Sequence, residues 1–376
     1  MTAFLFWLSA SVLFYIYFGY PLLLWAWARF FPRPVASSRI LPSVSILMSV
    51  FNEEKLVAKK METLLSLEYP KEKLEILVGS DGSTDETAAI LKRYEGKGTR
   101  VLPLKGRGGK PRTLNFLARQ AKGEILVFTD ARQRIDPQAV RCLAENFGDP
   151  TVGCVSGELF FENVNGSVGE GVGFYWRYEK FIRSRESAID SVVGATGALY
   201  AIRRSLYRPM PEGTILDDVY LPMQAVAQGY RTLLENDARV YDEPSSTPRQ
   251  EYERKVRTLA GNYQTFRQFS RLLNPFQSRI AVQFISHKLL RVLAPFFLVA
   301  LFLSDLFLLG SPAYRLFFIL QTVFYGAALL GAVAPRRLKR IFSAPYVFCL
   351  LNVSALVGLY RYLSGRQQVT WEKGTV

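Results

Sequence analysis

Long stretches without charge lie at both ends of this chain. Residues 1–28 contain no Lys, Arg, Asp, Glu or His, residues 316–335 and 341–360 carry no charge, and residues 292–314 carry only Asp305. About 20 apolar residues are enough to cross the roughly 30 Å hydrocarbon core of a bilayer. Residues 1–28 also lack the basic start and short apolar region of a cleavable signal peptide. The pattern predicts an N-terminal membrane anchor, a large polar domain and a C-terminal membrane bundle.

These stretches divide the chain into five predicted segments. The segments are a transmembrane anchor at 1–28, a cytoplasmic α/β domain at 29–248, amphipathic interfacial helices at 249–285, a transmembrane bundle at 286–363 and a tail at 364–376. Basic residues collect on the cytoplasmic side of membrane spans. The central domain is therefore expected in the cytoplasm, because basic residues follow the first span and precede the second: Arg29, Arg33, Arg279, Lys288 and Arg291.

The C-terminal end gives conflicting evidence on topology. Two basic groups flank the last apolar stretch: Arg336, Arg337, Lys339 and Arg340 before it, and Arg361, Arg366 and Lys373 after it. One span between the two groups cannot place both of them inside. Either the last segment is re-entrant or one basic group lies outside, and the sequence leaves both alternatives open.

Between the apolar ends, β-rich runs alternate with helical patterns. The predicted strands are Val44–Val50, Leu74–Val78, Val101–Leu104 and Glu124–Asp130. Continuous apolar strands that alternate with helices are typical of a parallel sheet with both faces covered. Ligands of such sheets bind beyond the carboxyl ends of the strands. Here the polar residues Asn52, Asp81 and Asp130 stand at or just after strand ends, which predicts a site at that edge.

Several common kinds of site are excluded by what the sequence lacks. No Gly-x-Gly-x-x-Gly follows the first strand, and no Walker-type loop is present, so a dinucleotide dehydrogenase and a P-loop enzyme are unsupported. The chain has one histidine, His287, and three widely spaced cysteines. A His-rich zinc site, a Ser-His-Asp triad and a disulfide framework are therefore not expected. No basic stretch accompanies a nucleic-acid recognition motif.

The composition is 49% hydrophobic and 21% charged, with a net charge of +15. Two interpretations of the positive charge stay open. It can belong to loops that lie against anionic lipid, or it can line a groove for a diphosphate or another anionic ligand.

Four acidic residues are candidates for chemistry. Asp81 precedes the Ser83 and Thr84 hydroxyls that can cap the next helix, so its carboxylate is available to a base or a ribose. Asp130 is a candidate for a nucleotide or a metal. Asp217 and Asp218 precede a helix that needs only one cap, so the other acid is a candidate general base for a hydroxyl proton.

Basic residues in two places are candidates for binding phosphates. Lys110 follows a glycine-rich loop and can neutralise a diphosphate leaving group, or it can belong to a solvated loop. Arg254 and Arg257 lie in an amphipathic stretch, 249–273, that can contact headgroups or close over a nucleotide.

Taken together, these residues resemble the membrane-embedded, processive type of family 2 glycosyltransferases, to which cellulose, chitin and hyaluronan synthases are similar. The resemblance covers nearly the whole chain. It rests on the run Val44–Glu54, on Ser80-Asp81-Gly82-Ser83 with Asp85, and on Gly109-Lys110 with Leu114-Asn115. It implies a GT-A (Rossmann-like) fold, a UDP-sugar donor and a divalent metal, Mg or Mn.

The resemblance also implies roles for individual residues. Asp218 would be the catalytic base, with Asp217 in place of the family's glutamate. Asp130 would contact the donor and the metal, and Asp81 the nucleobase. The remaining implied donor-binding residues are Asn52, Glu54, Lys110, Arg254 and Arg257, and the implied acceptor-binding residues are Gly194, Thr196 and Gly197.

This chain departs from the family pattern in two places. The usual Asp-x-Asp is Asp130-Ala131-Arg132, so the second metal-binding acid is missing. Arg132 can replace part of the metal's charge, or the metal can be held by Asp130 and phosphate oxygens alone. The family's Gln-x-x-Arg-Trp corresponds to Arg254–Thr258, which retains Arg257 but lacks the tryptophan. The loss of the tryptophan weakens the case for processivity.

We therefore expect an inverting hexosyl- or N-acetylhexosaminyltransferase of the cell membrane that acts in extracellular or cell-wall polysaccharide synthesis. One alternative is transfer of a single sugar to a polyprenyl phosphate or another lipid-linked acceptor. The other is a catalytically silent membrane subunit that binds a nucleotide sugar. The expected partners are the donor, a polysaccharide or lipid-linked acceptor and the lipid bilayer, with no nucleic acid; a homo-oligomer or an accessory subunit stays open.

Overall fold

The computed structural model describes residues 1–36, 38, 41–96, 98–162, 167–243, 248–333 and 336–368. The predicted tail at 364–376 is described as far as Gln368, so Lys373 lies outside the described residues, as do the side chains of the basic group at 336–340.

The chain divides into two compact units. The sheet unit consists of Pro32–Glu162, Glu186–Glu243 and Gln368–Val376, and the helical unit of Met1–Phe31, Asn163–Arg185 and Pro244–Gln367.

The described residues of the sheet unit form one eight-stranded sheet in the order β3-β2-β1-β4-β7-β6-β8-β5. The strands are β1 (Val44–Val50), β2 (Leu74–Asp81), β3 (Thr99–Leu104), β4 (Ile125–Thr129), β5 (Arg134–Ile135), β6 (Val152–Phe161), β7 (Leu199–Arg203) and β8 (Arg231–Asp242). The first four strands pair in parallel, as predicted. The sheet as a whole is mixed, because β7 is antiparallel to both β4 and β6, and β5 is antiparallel to β8.

Both units contain α-helices. In order they are α1 (Thr2–Phe14), α2 (Tyr20–Phe30), α3 (Val57–Leu65), α4 (Thr87–Lys92), α5 (Lys110–Gln120), α6 (Ala139–Glu145), α7 (Ser167–Ile189), α8 (Asp217–Ala227), α9 (Pro248–Gln268), α10 (Ala281–Gln283), α11 (Leu290–Leu306), α12 (Pro312–Val333) and α13 (Arg336–Leu363).

Both faces of the sheet are buried, as a continuous apolar strand requires. On one face, Ile46 and Met48 of β1 belong to a core cluster with Met61 of α3. On the other face, Leu47 belongs to a second cluster with Leu114 of α5. Each fully buried side chain of this kind contributes about 1.5–3 kcal/mol, and the resulting rigid strands hold their carboxyl ends in fixed positions.

Within its described residues, the helical unit contains four helices that are long and apolar enough to cross a membrane: Thr2–Phe30, Ala281–Leu306, Pro312–Val333 and Ile341–Leu363. They correspond to the four predicted spans, although the second begins earlier than predicted. Tyr15–Gly19 in the first and Phe284–Leu289 in the second form π-helical turns. His287 is buried in the second of these turns, where its Nε2 lies 2.8 Å from Oε1 of Glu179.

Candidate active site

Polar residues from separate parts of the chain meet at one edge of the sheet. Because β1, β2 and β4 are parallel neighbours, their carboxyl ends lie together. Asn52, Asp81 and Asp130 stand at these ends, as the sequence predicted. β8 runs in the same direction, since β7 is antiparallel to both β4 and β6 and since β6 and β8 are parallel. Its last residue, Asp242, therefore lies at the same edge.

Asn52 and Glu54 connect the loop after β1 to the loop after β2. Oδ1 of Asn52 accepts a hydrogen bond from the Thr84 amide at 2.9 Å. Oε2 of Glu54 accepts one from the Glu86 amide at 3.2 Å. Asn52 has a φ of 53°, a left-handed conformation that asparagine tolerates better than most residues. In the structure, both predicted donor-binding residues thus organise the loops of the edge.

Asp85 forms a hydrogen-bonded turn immediately before the helix after β2, which has no side-chain cap. Its Oδ1 accepts hydrogen bonds from the amide of Thr87, at 3.0 Å, and from the Thr87 hydroxyl. The expectation that Ser83 or Thr84 caps this helix was wrong. The hydroxyl of Ser83 instead accepts a hydrogen bond from the Asn52 amide at 3.1 Å, so it too holds the two loops together.

Asp81 fixes the glycine-rich loop that precedes α5. Its Oδ1 accepts a hydrogen bond from the Gly108 amide at 2.9 Å, and its Oδ2 accepts one from the Gly109 amide at 2.7 Å. Gly82 has a φ of 70°, and a Cβ there would come 2.8 Å from the carbonyl carbon of Gly106. The loop can approach β2 this closely only because residue 82 is glycine.

Lys110 connects two carboxylates that are distant in sequence. Its Nζ lies 2.8 Å from Oδ1 of Asp130 and 3.0 Å from Oδ2 of Asp217. Burial by itself lowers the pKa of Lys110, but the attraction of Asp130 and Asp217 outweighs it, so the pKa is raised and the lysine is charged. An ammonium group therefore lies between the acid at the end of β4 and the acid at the start of α8.

Asp217 is buried and committed to neighbouring groups. Besides the contact with Lys110, its Oδ2 accepts a hydrogen bond from the Tyr200 hydroxyl at 2.8 Å. Burial, reinforced by the charge of Asp217, raises the pKa of Tyr200. Neither Asp217 nor Asp218 caps α8 with its side chain, so the expectation that one of them does was wrong. Asp218 is half-buried.

The predicted acceptor segment packs directly against Asp218. The amide of Ala195 donates to the Asp218 carbonyl at 2.7 Å, and the amide of Thr196 donates to the Ser156 hydroxyl at 2.9 Å. A Cβ on Gly197 would come 2.9 Å from Oδ2 of Asp218. Thr196 and Gly197, together with Gly194 on the same segment, are thus brought to the predicted base.

Three further residues of this edge were not predicted from the sequence. Asp242 accepts hydrogen bonds from the side chains of Arg132 and Gln133, the latter at 3.1 Å. Tyr200 binds Asp217 as described. Lys60 of α3, 2% exposed, donates from Nζ to Oγ1 of Thr129 and to the Gln133 carbonyl, both at 2.8 Å.

Lys60 has an unusual environment for a lysine. Burial lowers its pKa to about 7, although the nearby charges of Asp130 and Asp242 act in the opposite direction. The sequence carries a signal for it, because Lys60 falls on the apolar face that Val57 and Met61 define. A lysine on such a face has to find polar partners inside the protein.

The protein side chains by themselves do not form a cage for a divalent ion. Among the described residues, no group of three or more His, Cys, Asp or Glu is arranged to hold a metal. Asp130 is the one predicted metal ligand, and its Oδ1 contacts Lys110. Arg132 stands where the second acid of the family pattern would be.

Arg254 and Arg257 lie on α9 in the helical unit. The guanidinium of Arg254 pairs with the buried Glu251, which also lies 3.7 Å from Nζ of Lys255. Burial lowers the pKa of Lys255, and the charge of Glu251 opposes this. The contacts of Arg254 and Arg257 with the donor stay a prediction.

Comparisons with known proteins show which sequences this chain is similar to. Residues 45–209 match the family described as glycosyl transferase family 2. The β-monoglucosyldiacylglycerol synthase of Synechocystis sp. is 25% identical over 280 residues, which are 69% of this chain and 56% of that protein. The poly-β-1,6-N-acetyl-D-glucosamine synthase of Staphylococcus epidermidis is 32% identical over 129 residues, 34% of this chain and 31% of that one. The chain thus spans about half or less of the length of these curated relatives.

The fold is also similar to a solved structure. A mannosyltransferase from Pyrobaculum calidifontis, in complex with GDP-Man and Mn2+, superposes with a TM-score of 0.73 at 22% identity, covering 96% of this chain and 99% of that one. The predicted α/β fold of GT-A (Rossmann-like) type, with long apolar helices at both ends, is thereby confirmed, although the sheet is mixed and not wholly parallel.

Proposed function

We propose that this chain is a nucleotide-sugar glycosyltransferase of family 2 that transfers a sugar from a UDP-sugar to an acceptor hydroxyl with inversion, in polysaccharide synthesis. The observation that carries the proposal is the cluster at the carboxyl edge of the sheet. There Lys110 contacts Asp130 and Asp217, and the segment of Gly197 packs against Asp218. Lys110 thus supplies a cation for a leaving group, and Asp218 supplies a carboxylate for an acceptor proton.

The donor end of the site is built on Lys110, with Asp81 and Asp130 beside it. The amides of Gly108 and Gly109 hold Asp81, so the loop before Lys110 is fixed before a donor enters. A charge held in a fixed position stabilises developing negative charge without reorganisation. When the donor binds, Lys110 would give up part of its contact with Asp130 and Asp217 and would contact the diphosphate. Asn52 and Glu54 complete the proposed donor-binding set of the sheet unit.

The acceptor end of the site is built on Asp218. Its carboxylate takes the proton of the acceptor hydroxyl as the oxygen attacks the anomeric carbon from the face opposite the diphosphate. The bond from that carbon to the diphosphate oxygen breaks in the same displacement, which inverts the configuration. Asp217 supports this step by holding Lys110 with the help of Tyr200.

The proposed cofactor is Mg or Mn, and Asp130 is the residue that would hold it. Such an ion stabilises charge on phosphate oxygens and retains several water ligands. Because the described side chains do not form a metal cage, most of its ligands would come from the donor and from water.

The proposed location is the cell membrane, with the sheet unit on the cytoplasmic side. Four helices have the length and composition of membrane spans, and Arg29 and Arg33 follow the first of them. Basic residues at this position favour a cytoplasmic location for the following domain.

A second candidate is the transfer of a single sugar to a lipid-linked acceptor. Two observations favour it: Thr258 stands where the family pattern has tryptophan, and one relative of this chain is named β-monoglucosyldiacylglycerol synthase. An aromatic platform for a growing polymer is then absent at that position.

The experiment uses the purified full chain in nanodiscs with Mn2+ and a panel of UDP- and GDP-sugars. Released nucleotide and the size and lipid solubility of labelled product are measured. We expect turnover with one donor, and a loss of about 10²-fold or more in Asp218→Asn. Asp237→Asn is the matched control, because Asp237 is an exposed acid of the sheet unit.

Each result has a definite meaning. A long product that resists lipid extraction supports polysaccharide synthesis, and a small extractable product supports the second candidate. Nucleotide binding without transfer from any donor would support the silent binding subunit. Undiminished turnover in Asp218→Asn would refute the assignment of the base.

A further inference from the structure

The turn after β4 is held in place from two sides. Lys60 donates to Oγ1 of Thr129 at the start of the turn and to the carbonyl of Gln133 at its end. Asp242 accepts hydrogen bonds from the side chains of Arg132 and Gln133. A functional group keeps a fixed position when surrounding residues lock it in this way. The turn therefore presents Arg132 in a preorganised arrangement.

Arg132 is anchored at a buried carboxylate but is itself accessible. The side chain of Asp242 is 3% exposed and that of Arg132 is 46% exposed. A guanidinium has five N–H donors in a planar fork. One contact with Asp242 therefore leaves further donors for a second anion at the carboxyl edge, where Lys110 and Asp130 also lie.

This arrangement differs from an ordinary surface ion pair. Pairs between two exposed side chains contribute little to stability. Asp242, in contrast, is a buried acid at the end of β8, and it holds two side chains of a single turn. A buried carboxylate requires such partners, and here the partner is the residue that replaces the second acid of the family's metal motif.

The sign of the charge decides what Arg132 can bind. An acid two residues after Asp130 would attract a divalent cation, whereas an arginine repels one. An arginine fork fits the oxygens of a phosphate, often through two parallel hydrogen bonds. We propose that Arg132, positioned by Asp242, binds the donor's diphosphate directly, so that two protein cations, Lys110 and Arg132, do much of the work that a metal held by two acids would do.

This inference rests on the proposed function, and binding experiments separate the two. Binding of UDP and GDP to the full chain in nanodiscs is measured by calorimetry in EDTA and again in Mn2+, with UMP and GMP as comparators. We expect the wild-type protein to bind a diphosphate in EDTA, with an affinity that Mn2+ improves by less than about tenfold.

Variants of Arg132 test the assignment. Arg132→Ala should lose about tenfold or more in diphosphate affinity in EDTA, with a smaller loss for the monophosphate. Arg132→Lys should retain part of the affinity. Arg132→Asp, which restores two acids, should bind poorly in EDTA and gain far more from Mn2+ than the wild type does. Asp242→Asn should also lose diphosphate affinity in EDTA, but by less than Arg132→Ala does.

Arg134→Ala is the matched control. Arg134 lies two residues along the chain, is 43% exposed and pairs with Glu162, so its loss should leave diphosphate binding unchanged. Binding of the monophosphate by each variant shows that its site is folded.

Two outcomes would overturn the inference. One is equal diphosphate binding by the wild type and Arg132→Ala in EDTA. The other is wild-type diphosphate binding that disappears in EDTA and returns only with Mn2+. If sugar transfer persists in either case, the proposed function survives and only the role of Arg132 is lost. If the wild type binds no nucleotide at all, both fail.

Discussion

The Nζ atom of Lys110 lies 2.8 Å from Oδ1 of Asp130. The same ammonium group contacts Asp217 at 3.0 Å, so the loop before α5, the end of β4 and the start of α8 meet at a single charge. A diphosphate that enters this edge competes with both carboxylates for Lys110. The lysine therefore joins the proposed donor half of the site to the proposed catalytic half.

Replacing Lys110 with methionine removes the positive charge but keeps a side chain of similar size. In Lys110→Met, the diphosphate loses a cation and Asp130 and Asp217 lose the charge between them, so both donor binding and transfer should fall. We expect kcat to drop by about 10²–10³-fold, with a smaller loss in UMP affinity than in UDP affinity. Nucleotide-release kinetics and calorimetry on the full chain measure these changes.

The control for that variant is Lys105→Met. Lys105 is exposed and lies close to Lys110 in sequence, so its loss should leave kcat within about twofold. If Lys110→Met transferred sugar as well as this control does, the leaving-group role of Lys110 would have to be abandoned.

Gly197 provides a steric test of Asp218. A methyl group at this position would come 2.9 Å from Oδ2 of Asp218, so Gly197→Ala should displace the carboxylate and lower kcat by about tenfold or more, since small misplacements of catalytic groups are costly. Donor affinity should change little. Gly326→Ala is the control, because a Cβ there would meet no described atom within 4 Å. Unchanged kcat in Gly197→Ala would contradict the placement of the acceptor segment against the base.

β1, β2 and β4 could be predicted because each contains an apolar run that is almost wholly buried. The run Val44–Val50 is β1 without any change of boundary. β2 continues past Val78 to Asp81, because Gly79–Asp81 pair with β3. That extension depends on a neighbouring strand and not on local hydrophobicity, so the sequence pattern alone does not show it.

The contacts between residues distant in sequence could not be predicted in the same way. Asp217 was expected either to cap α8 or to act as a free acid, but the fold places it between Lys110 and Tyr200. Only the folded sheet shows that Asp242 reaches Arg132. Lys60 is different, since its position on an apolar helix face was visible in the sequence.

Glu179 organises an ion cluster within the helical unit. Its carboxylate contacts Nε2 of His287 at 2.8 Å and Nη1 of Arg291 at 2.7 Å. Burial by itself would raise the pKa of Glu179, but the charges of His287 and Arg291 outweigh this and lower it. A carboxylate with a lowered pKa stabilises the fold above its ordinary pKa, and this stability is lost as pH falls through the folded-state value.

Glu179→Gln should therefore destabilise the full chain at neutral pH, by about 3 kcal/mol or more, because the guanidinium of Arg291 loses its counter-charge. The difference from the wild type should shrink as the pH is lowered toward the acid range. Glu253→Gln is the control: Glu253 forms a more exposed pair with Arg361, and its loss should cost less than about 1 kcal/mol. Thermal unfolding in detergent at several pH values measures both variants, and equal effects would show that the cluster has no special role.

Lys60 should give the chain a distinctive dependence of stability on pH. Its pKa is lowered to about 7 in the folded protein, while in the unfolded chain it is about 10.4. Between these values the unfolded chain binds a proton that the folded protein does not, so stability should rise as the pH increases from 7 toward 10. Lys60→Met should lack this rise, whereas Lys59→Met, at an exposed neighbour, should retain it. Thermal midpoints of the three proteins from pH 6 to pH 9.5 test this, and parallel curves for wild type and Lys60→Met would show that Lys60 does not titrate in this range.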